Sequence, residues 1–182
     1  MQIFRKPILV AMLPAVITLF SCSGRSAKTL PPPPGQAADV QRQLKGKSLH
    51  TTATGYYGSL VINDKPEAEW IDTTVVKESL IRNVIRETNS FALNFKSDTA
   101  VTITRGAEKF EGTWKVNNET DEDEAHGVYL RLSFADPEFN LPMGEVQKVT
   151  YTYMVKGVDD KSLLLELPRE INRRKLVSLM EQ

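Results

Sequence analysis

Strict alternation of apolar and polar residues, repeated six times between residues 91 and 167, constrains this chain more than any other feature it carries. Phe91, Leu93 and Phe95 alternate with Ala92 and Asn94, and Val101 and Ile103 with threonines 99, 102 and 104. Phe110, Gly112, Trp114 and Val116 alternate with Glu111, Thr113 and Lys115. The pattern returns at Val128, Leu130, Leu132 and Phe134, at Val149, Tyr151, Tyr153 and Val155, and at Leu163, Leu165 and Leu167. Period two marks strands with one buried face. Ser97-Asp98, Arg105-Gly106-Ala107-Glu108 and Gly157-Val158-Asp159-Asp160-Lys161 supply turn chemistry between these runs. Links this short require antiparallel neighbours, hence a meander.

Further strands are expected at Tyr56–Ile62 and Trp70–Val76, and Arg173–Met180 reads as a closing strand, with a helix starting near Pro168 as the alternative. One element breaks the rhythm. Leu80, Ile81, Val84 and Ile85 recur at helical spacing, with Glu78, Arg82, Asn83 and Arg86 facing away, so 77–88 is predicted to be an amphipathic helix that plugs or covers an open end of the sheet. The fold class that follows is mainly β: an up-and-down barrel of about 8 strands, whose closure removes exposed edges.

The N-terminus carries a different message. Arg5 and Lys6 precede an apolar run from Ile8 to Phe20 that is interrupted by Pro14 and is too short for the roughly 20 helical residues of a membrane span. The run ends in Leu19-Phe20-Ser21-Cys22, with the chain's single cysteine at the end of it. This resembles the lipobox of bacterial lipoproteins, which implies a signal peptide over 1–21 and an acylated Cys22. No disulfide could then form in the mature chain, and the domain must be held by its apolar core. Loss of 1–21 leaves 21 basic against 23 acidic side chains, and no basic stripe with interleaved aromatics appears, so nucleic acid is not expected as a partner. Residues 22–47, with Pro31-Pro32-Pro33-Pro34-Gly35 among them, read as a lipidated N-terminus and an extended tether holding the domain some tens of ångströms from the bilayer. Gln36 to Lys45 could form a short helix, with an apolar face too thin to pack strongly. The barrel domain is assigned to 48–182.

The hairpin Phe95-Lys96-Ser97-Asp98-Thr99-Ala100-Val101, the strand Gly112-Thr113-Trp114-Lys115-Val116 and Leu163-Leu164-Leu165-Glu166 resemble the lipocalin-like (calycin-like) barrel lipoproteins of Bacteroidota. Lipocalins place a Gly-x-Trp on their first barrel strand, whereas Gly112 and Trp114 lie mid-chain, so that family's ligand residues are not carried over. In Bacteroidota, surface-directed lipoproteins often carry acids directly after the cysteine. Ser23-Gly24-Arg25-Ser26 has none, which implies an outer-membrane anchor facing the periplasm.

No catalytic constellation is present. His50 and His126 share no metal-ligand spacing, no Gly-x-Ser-x-Gly occurs, and no cofactor is implied. The acidic run Glu119–Glu124 lacks the turn glycine of a calcium loop and reads as a solvated hairpin tip. Arg169, Arg173, Arg174 and Lys175 read as a soluble face, or as a contact for acidic headgroups or an acidic partner. Trp70, Trp114, Tyr151 and Tyr153 are the aromatics expected to line a cavity or to fill the core. The expected role is a non-enzymatic, lipid-anchored envelope module that binds a small apolar molecule or a protein. The alternative is a docking lipoprotein of a secretion or outer-membrane assembly complex.

Overall fold

The computed structural model describes residues 28–182 apart from 63–64, 73, 75, 120–126, 141–145 and 172. Cys22, His126 and most of the acidic run therefore lie outside the described residues. The elements in chain order are α1 (Ala37–Leu44), β1 (Ser48–Ile62), β2 (Lys65–Trp70), α2 (Ser79–Asn89), β3 (Phe91–Phe95), β4 (Ala100–Arg105) and β5 (Glu108–Glu119). They continue with β6 (Gly127–Asn140), β7 (Val146–Val158), β8 (Ser162–Ile171) and β9 (Arg174–Glu181). Strands β1 and β3 to β9 form a closed eight-strand antiparallel barrel, with β9 returning to pair with β1.

The alternation read in the sequence sets the barrel's two faces. Leu93 and Phe95, Val101 and Ile103, Trp114 and Val116, Leu130 to Phe134 in steps of two, and Leu163 to Leu167 likewise all point into one core. Asn94 and Lys115, one residue out of phase, are exposed. Register keeps the inward residues level across β6 and β7, where Leu132 faces Tyr151 and Phe134 faces Val149. The closing strand is β9, as the pattern at its five consecutive buried residues Leu176–Met180 requires of a strand enclosed on both sides: Leu176 and Met180 belong to the main core, while Val177 and Leu179 face out beneath a second apolar cluster.

Two expectations about the early chain are corrected. A strand was expected at Trp70–Val76, but β2 ends at Trp70. Beyond it the Asp72 carboxylate accepts the Thr74 backbone N–H at 3.0 Å and its hydroxyl at 2.6 Å, a side-chain turn that takes the chain out of the sheet. Pro66 is tolerated within β2 because β2 lies at the sheet's edge, paired with β1 alone.

The larger correction concerns the segment expected to be a tether. From Lys28 onward it is packed against the barrel. Lys28 Nζ donates to the Thr52 carbonyl at 3.2 Å and pairs with Glu181 at 3.3 Å. Leu30 joins the outer apolar cluster of Ala53, Tyr57, Trp70, Leu164, Val177 and Leu179. Pro31 is buried against Gly157, where a Cβ would lie 2.5 Å from the Pro31 carbonyl, and the Pro32 carbonyl accepts the Val158 N–H at 2.9 Å.

Helix α1 then turns inward, and its thin stripe is enough because the barrel supplies a socket. Ala37, Val40 and Leu44, at i, i+3 and i+7, sit in the main core, with Leu44 fully buried. Gln41 satisfies backbone groups left open at the barrel rim, donating to the Asp98 carbonyl at 2.8 Å and accepting the Val116 N–H at 3.1 Å. Gly46, at φ +77°, makes the left-handed turn that ends the helix and sends its N–H to the Phe95 carbonyl.

Candidate functional site

A meander puts alternate hairpins at opposite ends, so the barrel has two distinct mouths. The β3–β4 and β7–β8 turns share one end, and α1 fills it. At the other end are the β4–β5, β6–β7 and β8–β9 connections, and here a cavity of about 220 Å³ enters the barrel. Its walls are Phe91 from β3, Ile103 and Arg105 from β4, Phe134 from β6, Tyr151 and Tyr153 from β7, and Leu167 and Pro168 from β8. Glu87 and Thr88 of α2 complete the rim. The helix thus borders the open end, held by buried Ile85 and by the Thr54 hydroxyl donating to Asn89 at 2.8 Å, while the plug is α1.

Aromatic rings dominate one wall. Phe134 stacks on Tyr151 with centroids 5.3 Å apart and meets Phe110 at 5.2 Å. Phe91 and Tyr153 approach to 6.1 Å. Behind this wall lies a polar cluster. Asp136 is fully buried and receives both terminal nitrogens of Arg105, each at 3.1 Å, in a two-point fork. The Tyr151 hydroxyl donates to the same carboxylate at 2.7 Å. Burial of the phenol, then its hydrogen bond to Asp136 and the charge of that carboxylate, push the Tyr151 pKa up to about 12. Arg105 also lies 5.2 Å over the Phe110 ring and 3.9 Å from Glu108.

The four aromatics singled out in the sequence separate here. Tyr151 and Tyr153 line the cavity. Trp114 belongs to the core at the plugged end, its ring 4.6 Å from Phe95 and its indole N–H donating to the Ser97 carbonyl at 2.9 Å. Trp70 lies outside the barrel, in the outer cluster. Sequence reading missed Asp136 and Arg105, although their signal was present: each continues the inward phase of its strand, Asp136 after Phe134 and Arg105 after Ile103.

The remaining candidates resolve differently. His50 is an exposed residue of β1, and no group of three or more metal-ligating side chains occurs among the described residues. The basic cluster is partly neutralised: Arg174 pairs with Glu69 at 2.7 Å and lies 3.9 Å over the Tyr56 ring, and Lys175 pairs with Glu166 at 3.0 Å. A second concavity, of about 490 Å³, runs along α2 past Ser79, Arg82, Asn83, Arg86 and Asn89. All of these lie on one solvent-facing side of a single helix, which makes a surface groove and not an enclosure.

Fold and site together define a class: a small closed barrel with one end plugged by its own N-terminal helix and the other open to an aromatic cavity. No family model, curated protein or solved structure matches the chain.

Proposed function

We propose that this chain is a lipid-anchored protein of a bacterial envelope whose barrel is a non-enzymatic binding module, taking a small apolar molecule into its open-end cavity. The single observation that carries the reading is the cavity itself: aromatic and aliphatic walls with a few converging polar groups are the usual make-up of a ligand site. The anchor rests on the sequence around Cys22, which supports an outer-membrane lipoprotein facing the periplasm. The docking alternative keeps one specific support, the edge strand β2, whose outer side could accept a strand from a partner.

Uptake of indole by the mature chain carrying Cys22→Ser, which needs no detergent, tests the binding reading by calorimetry. Leu167→Trp, which fills the cavity from β8, should abolish uptake and leave the thermal transition cooperative. Equal heats from the two chains, or none from either, would remove the ligand reading and leave docking.

A further inference from the structure

Resting on the cavity reading above, we propose that the open-end cavity selects neutral, ring-sized molecules and rejects carboxylates of the same size. The size follows from volume. A dry cavity of about 150 Å³ already holds benzene, and drug-sized ligands occupy sites from about 300 Å³ upward. A space of about 220 Å³ falls between them and fits one ring with a short substituent. The walls suit a ring, because Phe91, Phe134, Tyr151 and Tyr153 offer faces and edges for stacked or edge-on contact.

The charge preference follows from what Arg105 already holds. Arg105 is the only cation that lines the cavity among the described residues, and an arginine fork in the wall of an apolar pocket would ordinarily mark a carboxylate site. Here both terminal nitrogens are engaged by Asp136, which is buried and also accepts the Tyr151 hydroxyl. An incoming carboxylate would either displace Asp136, taking the arginine from a buried carboxylate, or sit as a second anion beside it. Glu108, 3.9 Å from Arg105, and Glu87 at the rim add to the negative side of the balance. A hydroxyl or carbonyl group brings neither cost.

Benzyl alcohol and benzoate, alike in size and opposite in this respect, make the test at pH 7. Their affinities for the mature Cys22→Ser chain are measured by ligand-observed NMR titration. The expected result is at least tenfold tighter binding of benzyl alcohol. Asp136→Asn, which keeps the shape but removes the competing carboxylate charge, should raise benzoate affinity at least tenfold relative to benzyl alcohol. Benzoate binding to the unaltered barrel as well as or better than benzyl alcohol overturns the inference and leaves the cavity reading standing. Absence of binding by both overturns the cavity reading and the inference with it. Should Asp136→Asn fail to fold, the comparison of the two probes on the unaltered barrel decides alone.

Discussion

At the scale of single residues, phase decides everything: whether a side chain helps hold the barrel or faces water depends on one step along a strand. Trp114 is buried at the plugged end, so Trp114→Ala is expected to cost about 3–5 kcal/mol, while Lys115→Ala, on the exposed face, should cost about 0.5 kcal/mol or less. Denaturant midpoints of the two variants check both numbers, and an exchange of outcomes would mean a slipped register. Phase was legible in the sequence at Trp114 because its neighbours Phe110 and Val116 are apolar too. The same phase carries Arg105 and Asp136 into the barrel's open end, and there the reading failed, because polarity toward the end of an alternating run looks the same as a strand leaving the core. Only the spatial meeting of β4, β6 and β7 shows that the two charges answer each other. Tyr151 offers a pH handle on that meeting. Its folded pKa of about 12 exceeds the unfolded value of about 10, so the native state keeps a proton that the unfolded chain releases. The contribution is fully present below about pH 10 and is lost as pH rises through about 12. Phenolate absorbance should lose one late-titrating tyrosine in Tyr151→Phe, with the raised Tyr57 remaining, and the variant should lose less stability than the parent across that interval.

Among elements, α1 shows why a weak sequence signal can mark a strong structural part. Three inward-facing apolar residues in eight would stabilise no isolated helix, and a helix this short is marginal in water. Its stability comes from the barrel end, which buries Val40 and Leu44 and takes up Gln41 at the rim. Composition alone likewise makes the proline run before it a spacer, and cannot reveal that Gly157 leaves room for Pro31 on β7. The strands, by contrast, announce themselves locally, since each carries its own alternation, and α2 does so through its apolar stripe. Leu44→Ala is therefore expected to cost about 2–5 kcal/mol, the range for truncating a buried leucine. A chain beginning at Ser48, lacking both the plug α1 and the wall-bound segment 28–32 before it (the strap), should lose more than that single variant, read as a lower denaturant midpoint with exposed apolar surface at the vacated end. Equal midpoints for a chain beginning at residue 22 and the shortened one would return the segment to the role of a spacer.

For the whole molecule, the strap changes the geometry of the proposed anchor. A free tether from Cys22 to residue 48 would let the barrel tumble some tens of ångströms from the bilayer. With Lys28 docked on the wall beside Glu181, only six residue steps separate the proposed acyl site from the folded body. At about 3.3–3.6 Å per residue, they reach at most about 22 Å. The strap also leaves the barrel at the plugged end, because Glu181 closes β9 there and Pro31 lies beside the last residues of β7. The cavity mouth is at the far end of the strands, beyond Arg105 on β4 and Pro168 on β8. An acylated chain should thus stand with α1 toward the lipid and the cavity facing away from it, where a solute of the aqueous compartment can enter. Energy transfer from fluorophores placed at Lys161, in the turn of the plugged end, or at Ala107, in a turn of the open end, to an acceptor in the bilayer surface measures this directly. With Cys22 acylated and so blocked, Lys161→Cys and Ala107→Cys each give a single labelling site. Transfer should be clearly stronger from position 161 than from 107. Gly157→Val, which drives a side chain into Pro31, should loosen the strap and bring the two efficiencies closer together. Equal transfer from both positions in the parent protein, with acylation verified by mass, would show that the strap does not orient the barrel.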